Sequence, residues 1–385
     1  MKQQRAYKYR FYPTGEQVQI LAKTFGCCRY VYNWALRERT DAYYQRGEGL
    51  SYEATARRLT QLKKQEAYAW LGEVSSVPLQ QSLRHLDRAF RSFFEGRTDY
   101  PTFKKKRNDQ AATYAASAFK WDGEHLTLAR MEEHLPIVWS RPLPDGCKPS
   151  TVTVTKDTAN RYFVSLLIEE EIQPLPVTSK MVGLDLGLKS MVITSDGQCY
   201  GNPRFAARDE KKLTRAQRKL SKKKKGSKNR AKARQKVATI HAKIADRRRD
   251  YHHKLSTQLI RENQVVCVES LRVKNMVQNH SLAKAISDVG WSEFVSQLEY
   301  KARWYGRTLV KIGQWYPSSK RCCDCGHILD SLSLDVRQWI CPACGSSHDR
   351  DINAAKNVLA AGLAVSACGE AVRPGRAKAR SGKTL

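Results

Sequence analysis

Nowhere in this sequence is there an apolar run of 18 residues, and the basic opening Met1-Lys-Gln-Gln-Arg5 is not followed by an apolar segment. Those absences argue against a membrane-spanning helix and against a secretory signal. Acid is scarce as well: 37 Asp and Glu stand against 68 Lys and Arg, a formal charge of +31 over 385 residues. A soluble chain so short of compensating acid is expected to bind a polyanion, and nucleic acid is the first candidate. A disulfide framework is missing too. Of eleven cysteines, four fall into metal-ligand spacing and the others are scattered, which fits a reducing cytoplasm. Hydrophobic residues make up 41%, and the length exceeds one typical domain, so two or three cores are expected.

The N-terminal part reads as one strand followed by helices. Ala6 to Tyr12 alternates the aromatics Tyr7, Tyr9 and Phe11 with Lys8 and Arg10, a half-buried strand that Pro13 ends. Thr14 with Gln17 forms a capping-box pattern, and a helix should run from there to the break at Gly47-Glu-Gly49. Ser51 is placed to cap a second helix through about Gln65, and Leu79 to Phe94 has the spacing of a third. In Tyr100-Pro-Thr-Phe-Lys-Lys-Lys-Arg107 two aromatics sit beside four consecutive cations. Lys104, Lys105 and Lys106 there suit a nucleic-acid backbone. From about 111 to 175 the pattern turns to β, with Thr151–Thr155 and Tyr162–Ile168 as hairpin partners.

The second half contains an apolar stretch, Met181 to Leu188, with the carboxylate of Asp185 in its middle. A strand buried on both faces is expected, and an ionised carboxylate there needs a partner, a proton or a metal. Gly183 and Gly187 would let another backbone approach closely. Between Arg208 and Lys254 there are 20 Lys or Arg against four Asp or Glu. Two helices are expected there, broken at Lys222-Lys-Lys-Lys-Gly-Ser227, with Lys222, Lys223, Lys224 and Lys225 among the candidate phosphate contacts. Gln264 to Leu271 is another apolar strand and carries Glu269. Leu282 to Arg307 reads as helix interrupted near Gly290-Trp291, and Thr308 to Ile312 as a short strand.

Cys322-Cys-Asp-Cys325-Gly and Cys341-Pro-Ala-Cys344-Gly are two knuckles separated by 15 residues. Cys322, Cys325, Cys341 and Cys344 can surround one zinc tetrahedrally, leaving no open position, so this ion should be structural. Ser347-His-Asp-Arg-Asp-Ile-Asn-Ala-Ala355 follows. Asp349 or Asp351 would stand at the head of a helix, where the macrodipole favours an anion, and Ala354 and Ala355 would let that helix lie close on a sheet. Asp185, Glu269 and one of these late aspartates form a set of three acids from separated segments. Such a set can hold two Mg²⁺ ions for phosphodiester hydrolysis.

Several segments, taken in order, resemble the TnpB family, the transposon-encoded relatives of the type V CRISPR nucleases, over almost the whole chain. They are Arg29-Tyr-Val-Tyr-Asn-Trp-Ala-Leu36, Tyr100 to Lys106, Gly183-Leu-Asp-Leu-Gly187, Val268-Glu-Ser-Leu271, Ser318-Ser-Lys-Arg-Cys322 with its knuckles, and His348 to Ala355. The resemblance implies an α/β chain with added β-barrel and helical parts. A wedge β-barrel, oligonucleotide-binding-like, is split over 1–12 and 110–178 around a helical recognition domain at 13–109. An RNase H-like RuvC nuclease domain at 179–316 and 346–367 surrounds a zinc ribbon at 317–345, and a basic tail fills 368–385. The catalytic triad carries over onto Asp185, Glu269 and Asp351, in preference to Asp349. Two Mg²⁺, one zinc and a guide RNA from the transposon end are the implied cofactors. The implied activity is cleavage of guide-complementary double-stranded DNA beside a short motif, read around Tyr52, Ser76 and Gln80, by a monomeric ribonucleoprotein in the bacterial cytoplasm with the nucleoid. Base pairing would read the sequence and protein the motif. An RNA-guided repressor that binds without cutting, and a transposition protein acting without RNA, are the alternatives.

Overall fold

The structure is a computed structural model that describes residues 2–333 and 335–367; the basic tail lies outside the described residues. The chain divides into two compact units between Glu171 and Ile172.

In the first unit, strand β1 (Lys2–Phe11) leads through Thr14 into helix α1 (Gly15–Arg46). The capping box forms as read: the Thr14 hydroxyl accepts from the Gln17 amide and the Gln17 side chain accepts from the Thr14 amide. Gly47, in the left-handed conformation, closes the helix. Ser51 caps α2 (Tyr52–Leu62), which stops short of Gln65. A 3₁₀ turn, Glu66–Gly72, follows and buries Leu71. Helix α3 (Ser76–Phe94) begins three residues ahead of Leu79, because Pro78 is tolerated in the first turn, where its missing N–H has no intrahelical partner.

Strands β2 (Gln110–Ala115), β3 (Phe119–Trp121), β4 (Leu126–Leu128), β5 (Ile137–Val138), β6 (Thr151–Lys156) and β7 (Tyr162–Glu171) complete this unit. The main sheet is antiparallel in the order β2-β6-β7-β1-β5, a half-barrel, and β3 with β4 forms a separate hairpin. β1 is longer than Ala6 to Tyr12 because β7 pairs it along its whole length, from Lys2 with Glu171 to Phe11 with Tyr162. Tyr7, Tyr9 and Phe11 are buried in the same core as Leu21, Val31 and Leu86 of the helices.

The second unit begins with β8 (Met181–Asp185), β9 (Ser190–Thr194) and β10 (Cys199–Gly201). A short α4 (Phe205–Arg208) precedes the helical hairpin of α5 (Glu210–Ser221) and α6 (Lys228–Glu262). The break between them falls in the lysine run. Arg230 donates to the Leu220 and Lys223 carbonyls (3.0 and 2.7 Å), which closes the turn. Then come β11 (Val265–Glu269), α7 (Val273–Met276), α8 (Ala283–Val289), α9 (Trp291–Tyr305) and β12 (Thr308–Ile312). The interruption expected near Gly290 is real: Gly290 is left-handed and ends α8.

The sheet order is β10-β9-β8-β11-β12. β8, β11 and β12 are parallel and β9 is antiparallel to β8, the strand arrangement of the RNase H-like fold. The ribbon, with β13 (Gln338–Ile340) and β14 (Ser347–Asp349), separates β12 from the last helix, α10 (Arg350–Ala367). That helix packs on the parallel strands. Glycine makes the close approach possible on both sides. A Cβ on Gly183 of β8 would lie 2.1 Å from the Ala355 carbonyl oxygen, and one on Gly362 of α10 would lie 2.3 Å from the Cys267 sulfur. Among the described residues no helix is long and apolar enough to cross a membrane.

Candidate active site and zinc ribbon

Parallel pairing sets the first two acids side by side. Val268 stands opposite Leu184, so the next residues, Glu269 and Asp185, end their strands at the same level. Loops at the carboxyl ends of parallel strands are where such sheets present side chains to ligands. The third acid comes from the first turn of α10, beside the same strands.

Asp349 and Asp351 differ in what they touch. One oxygen of Asp349 accepts from the amides of Asp351 and Ile352, each at 3.0 Å, so Asp349 satisfies the open end of α10. Asp351 is left to face the other acids. Both of its oxygens lie 3.2 Å from Nη1 of Arg337, at the edge of the ribbon.

The three acids also interact electrostatically. Burial raises the Asp185 carboxyl from its ordinary 3.8 to about 7; the charges of Glu269 and Asp351 add to the rise, and Arg350 and Arg337 oppose it. Burial also raises Glu269, while a hydrogen bond from the Ser318 hydroxyl pulls it down. Among the described residues, groups of three or more potential ligands within 4.8 Å of one another occur only in the ribbon. The three acids converge without collapsing into one tight cage. Their donor set is oxygen only, which suits a hard cation such as Mg²⁺.

The ribbon fits zinc closely. The sulfurs of Cys322, Cys325, Cys341 and Cys344 all lie within 4.8 Å of one another, with Cys322 to Cys344 at 3.7 Å and Cys325 to Cys341 at 3.6 Å. Four sulfurs arranged tetrahedrally around zinc are about 3.8 Å apart, and a disulfide needs about 2.05 Å. Cys323, which has the wrong phase, is outside this set. His348 of β14 is buried with Nε2 3.0 Å from the Cys322 sulfur, and its ring packs on Trp339 at 4.7 Å.

Three residues that touch this site carry no functional reading in the sequence: Ser318, Asn353 and Asn357. All are buried, and the two amides bind the carbonyls of Ser318 and Arg321. Arg337 was equally unmarked. The motifs Ser318 to Cys322 and Ile352 to Ala355 contain or adjoin them, but nothing local announces their partners.

The candidate nucleic-acid contacts fall into two groups. Ser76 and Gln80 are exposed on the first turns of α3. Tyr52, at the start of α2, has Arg84 over its ring at 5.1 Å. Lys105 and Lys106 are exposed, and Lys222 to Lys225 form the exposed tip of the α5–α6 hairpin. Lys104 differs. Its backbone is held by both ends of the Asn33 amide and its ammonium sits 4.1 Å over the ring of Tyr32, which ties the loop to α1.

An RNase H-like sheet with acids at its strand ends, carrying a four-cysteine ribbon between its fifth strand and last helix, defines the class. A sequence profile described as "Probable transposase" matches residues 163–280, and one described as "Cas12f1-like, TNB domain" matches 291–358. A "Helix-turn-helix domain" profile matches 1–48, where the structure has β1 and one unbroken 32-residue helix. A protein of Streptomyces pristinaespiralis named "Putative RNA-guided DNA endonuclease" is 54% identical over 99% of this chain and 94% of its own length. InsQ of Escherichia coli K12, with the same description, is 33% identical over 98% and 96%. The chain belongs to their family, the TnpB family. Among solved structures, the Cas12f1 chain of a complex with sgRNA and target DNA matches with a TM-score of 0.58 at 13% identity, covering 93% of this chain and 98% of that one; the likeness is one of fold.

Proposed function

We propose that the protein is an RNA-guided DNA endonuclease that cuts guide-complementary double-stranded DNA by Mg²⁺-dependent phosphodiester hydrolysis at Asp185, Glu269 and Asp351. The observation that carries this reading is the convergence of three acids, from the ends of β8 and β11 and the head of α10. Burial raises the Asp185 carboxyl to about 7, and the charges of Glu269 and Asp351 add to the rise. Groups with strongly shifted titration in such a position are functional candidates.

Asp185, Glu269 and Asp351 would hold the cations. A divalent ion bound there supplies positive charge for the phosphate and makes water a better nucleophile at neutral pH. The chain's own residues do the rest. Burial, helped by the charges of Glu269 and Asp351, favours the protonated form of Asp185 until a cation arrives. Arg337 balances Asp351 meanwhile, donating to its two oxygens. The ribbon, with zinc on its four thiolates, braces the strand that leads into Asp351.

The remaining assignments follow the same reading. Residues 1–12 and 110–178 form the wedge domain and 13–109 the helical recognition domain. Residues 179–316 and 346–367 are the nuclease domain and 317–345 the ribbon. Tyr52, Ser76 and Gln80 read a short motif beside the target. Lys105, Lys106 and Lys222 to Lys225 meet phosphates of the guide RNA or DNA; exposed lysines serve this purpose without discriminating between the two.

The test is cleavage of a plasmid bearing a guide-matched target by purified ribonucleoprotein in Mg²⁺. Asp185→Ala is expected to abolish cutting and to leave RNA binding near wild type. A variant that cuts at the wild-type rate would remove Asp185 from the site. A wild-type ribonucleoprotein that binds the target and never cuts it would make the protein a repressor.

A further inference from the structure

We infer that Ser318 is a positioning residue for Glu269, and that Asn353 and Asn357 hold it in place. The inference rests on the reading of Glu269 as a cation-holding acid.

The Ser318 hydroxyl donates to Oε1 of Glu269. Among the described residues Oε2 has no hydrogen-bond partner, so one oxygen is oriented and the other is left for a ligand. Ser318 is itself fixed from both sides. Its amide donates to the Tyr316 carbonyl at 2.8 Å, and its carbonyl accepts from Asn357 Nδ2 at 2.9 Å. Asn357 also donates to the Arg321 carbonyl at 2.6 Å, and Asn353 donates to the same carbonyl at 2.8 Å. The other end of the Asn353 amide accepts from the Cys323 amide at 2.9 Å.

Geometry explains why two asparagines are used. They are four residues apart on α10 and so share a face, about one turn from each other along the axis. That face meets the segment from Ser318 to Cys323 and binds three of its backbone groups. Exposures of 1% for Asn353, 3% for Asn357 and 6% for Ser318 place the clamp inside the protein, where an unpaired amide or hydroxyl is costly. The clamp therefore fixes one backbone path, with Ser318 at its start and the zinc ligand Cys322 near its end.

The helix that brings Asp351 to the site thus also carries the amides that set Ser318 on Glu269. A hydroxyl buried only for packing could have bonded to any carbonyl. This one bonds to a proposed cation ligand, which gives it the role of an outer partner that orients the ligand and favours its ionised form.

The experiment compares Ser318→Ala with Ser318→Thr, which keeps the hydroxyl. Three quantities are measured. They are the Mg²⁺ concentration giving half-maximal cleavage by the ribonucleoprotein, Mn²⁺ binding to the full-length protein by calorimetry, and zinc content. Ser318→Ala is expected to raise the Mg²⁺ requirement and weaken Mn²⁺ binding by about ten-fold or more, the usual cost of losing an outer partner. Zinc content should be unchanged and Ser318→Thr should return both quantities toward wild type. Asn357→Asp, which keeps the shape and removes the donor, should move them in the same direction as Ser318→Ala. Wild-type Mg²⁺ and Mn²⁺ behaviour in Ser318→Ala would overturn the inference. So would a loss accompanied by loss of zinc that Ser318→Thr does not restore. Glu269→Gln separates the two levels: if it cuts and binds Mn²⁺ normally, the reading of Glu269 itself is wrong, and if it is inactive while Ser318→Ala is normal, only the role of Ser318 falls.

Discussion

Asp185 is held in an environment that disfavours its own charge. Its carboxyl titrates near 7 in the folded chain against an ordinary value of 3.8, because it is buried and faces two other acids. The sign of the consequence follows from linkage. A folded-state value raised above the unfolded one means that the folded chain holds the extra proton. Stability is therefore unaffected below about pH 4, falls as pH rises toward 7, and stays lowered above it. A rise from 3.8 to about 7 corresponds to roughly 4 kcal/mol, which divalent cations at the site would relieve. Asp185→Asn is expected to stabilise the Mg²⁺-free protein at pH 8 by a few kcal/mol at most and to change little at pH 4. Urea unfolding at the two pH values checks this, and equal effects at both would show that charge repulsion is not the cause. The neighbouring aspartates show the same dependence on surroundings. Asp349 and Asp351 are two residues apart, yet one is a helix cap and the other faces the acids.

At the scale of elements, the site depends on how closely α10 lies on β8 and β11. A Cβ on Gly183 would sit 2.1 Å from the Ala355 carbonyl oxygen and 2.6 Å from the Leu359 amide nitrogen, both backbone atoms that cannot rotate aside. Gly183→Ala must therefore push the helix off the sheet. We expect a loss of about 3 kcal/mol or more by analogy with overpacked cores, together with loss of cleavage as Asp351 moves. Denaturation midpoints and cleavage rates of the same preparation measure both, and a variant of normal stability would mean that the helix can shift without cost. The helices of the other unit follow local rules. Thr14 and Gln17 cap α1, Gly47 ends it and Ser51 caps α2, each by contacts three to five residues long. The longer β1 has a partner outside the segment to account for it: β7 extends it back to Lys2.

For the molecule as a whole, the net charge of +31 makes polyanion binding the dominant electrostatic property. Lys222 to Lys225 are exposed at the hairpin tip and belong to no ion pair among the described residues. Replacing all four by Gln is expected to weaken RNA binding and to flatten its salt dependence. If each contacts one phosphate of single-stranded RNA, the slope of log K against log salt falls by about 3. Filter binding from low to moderate salt measures it, and an unchanged slope would place the RNA elsewhere. Some of this protein could be read directly from its sequence. Charge, helix caps, the break at Gly290 and the four zinc-spaced cysteines were legible because each depends on composition or on residues close together in the chain. The acids at Asp185 and Glu269 were visible as charges in apolar strands, though their meeting was not. Tertiary structure alone decided that Asp349 caps while Asp351 meets Arg337, that Lys104 lies over Tyr32, and that Ser318 bonds to Glu269 while Asn353 and Asn357 hold the segment that carries Ser318. The reason is range: the Ser318 hydroxyl meets a carboxylate 49 residues away and Asn357 binds a carbonyl 39 residues away. Only the packing of α10 against the sheet and ribbon brings such groups within hydrogen-bonding distance.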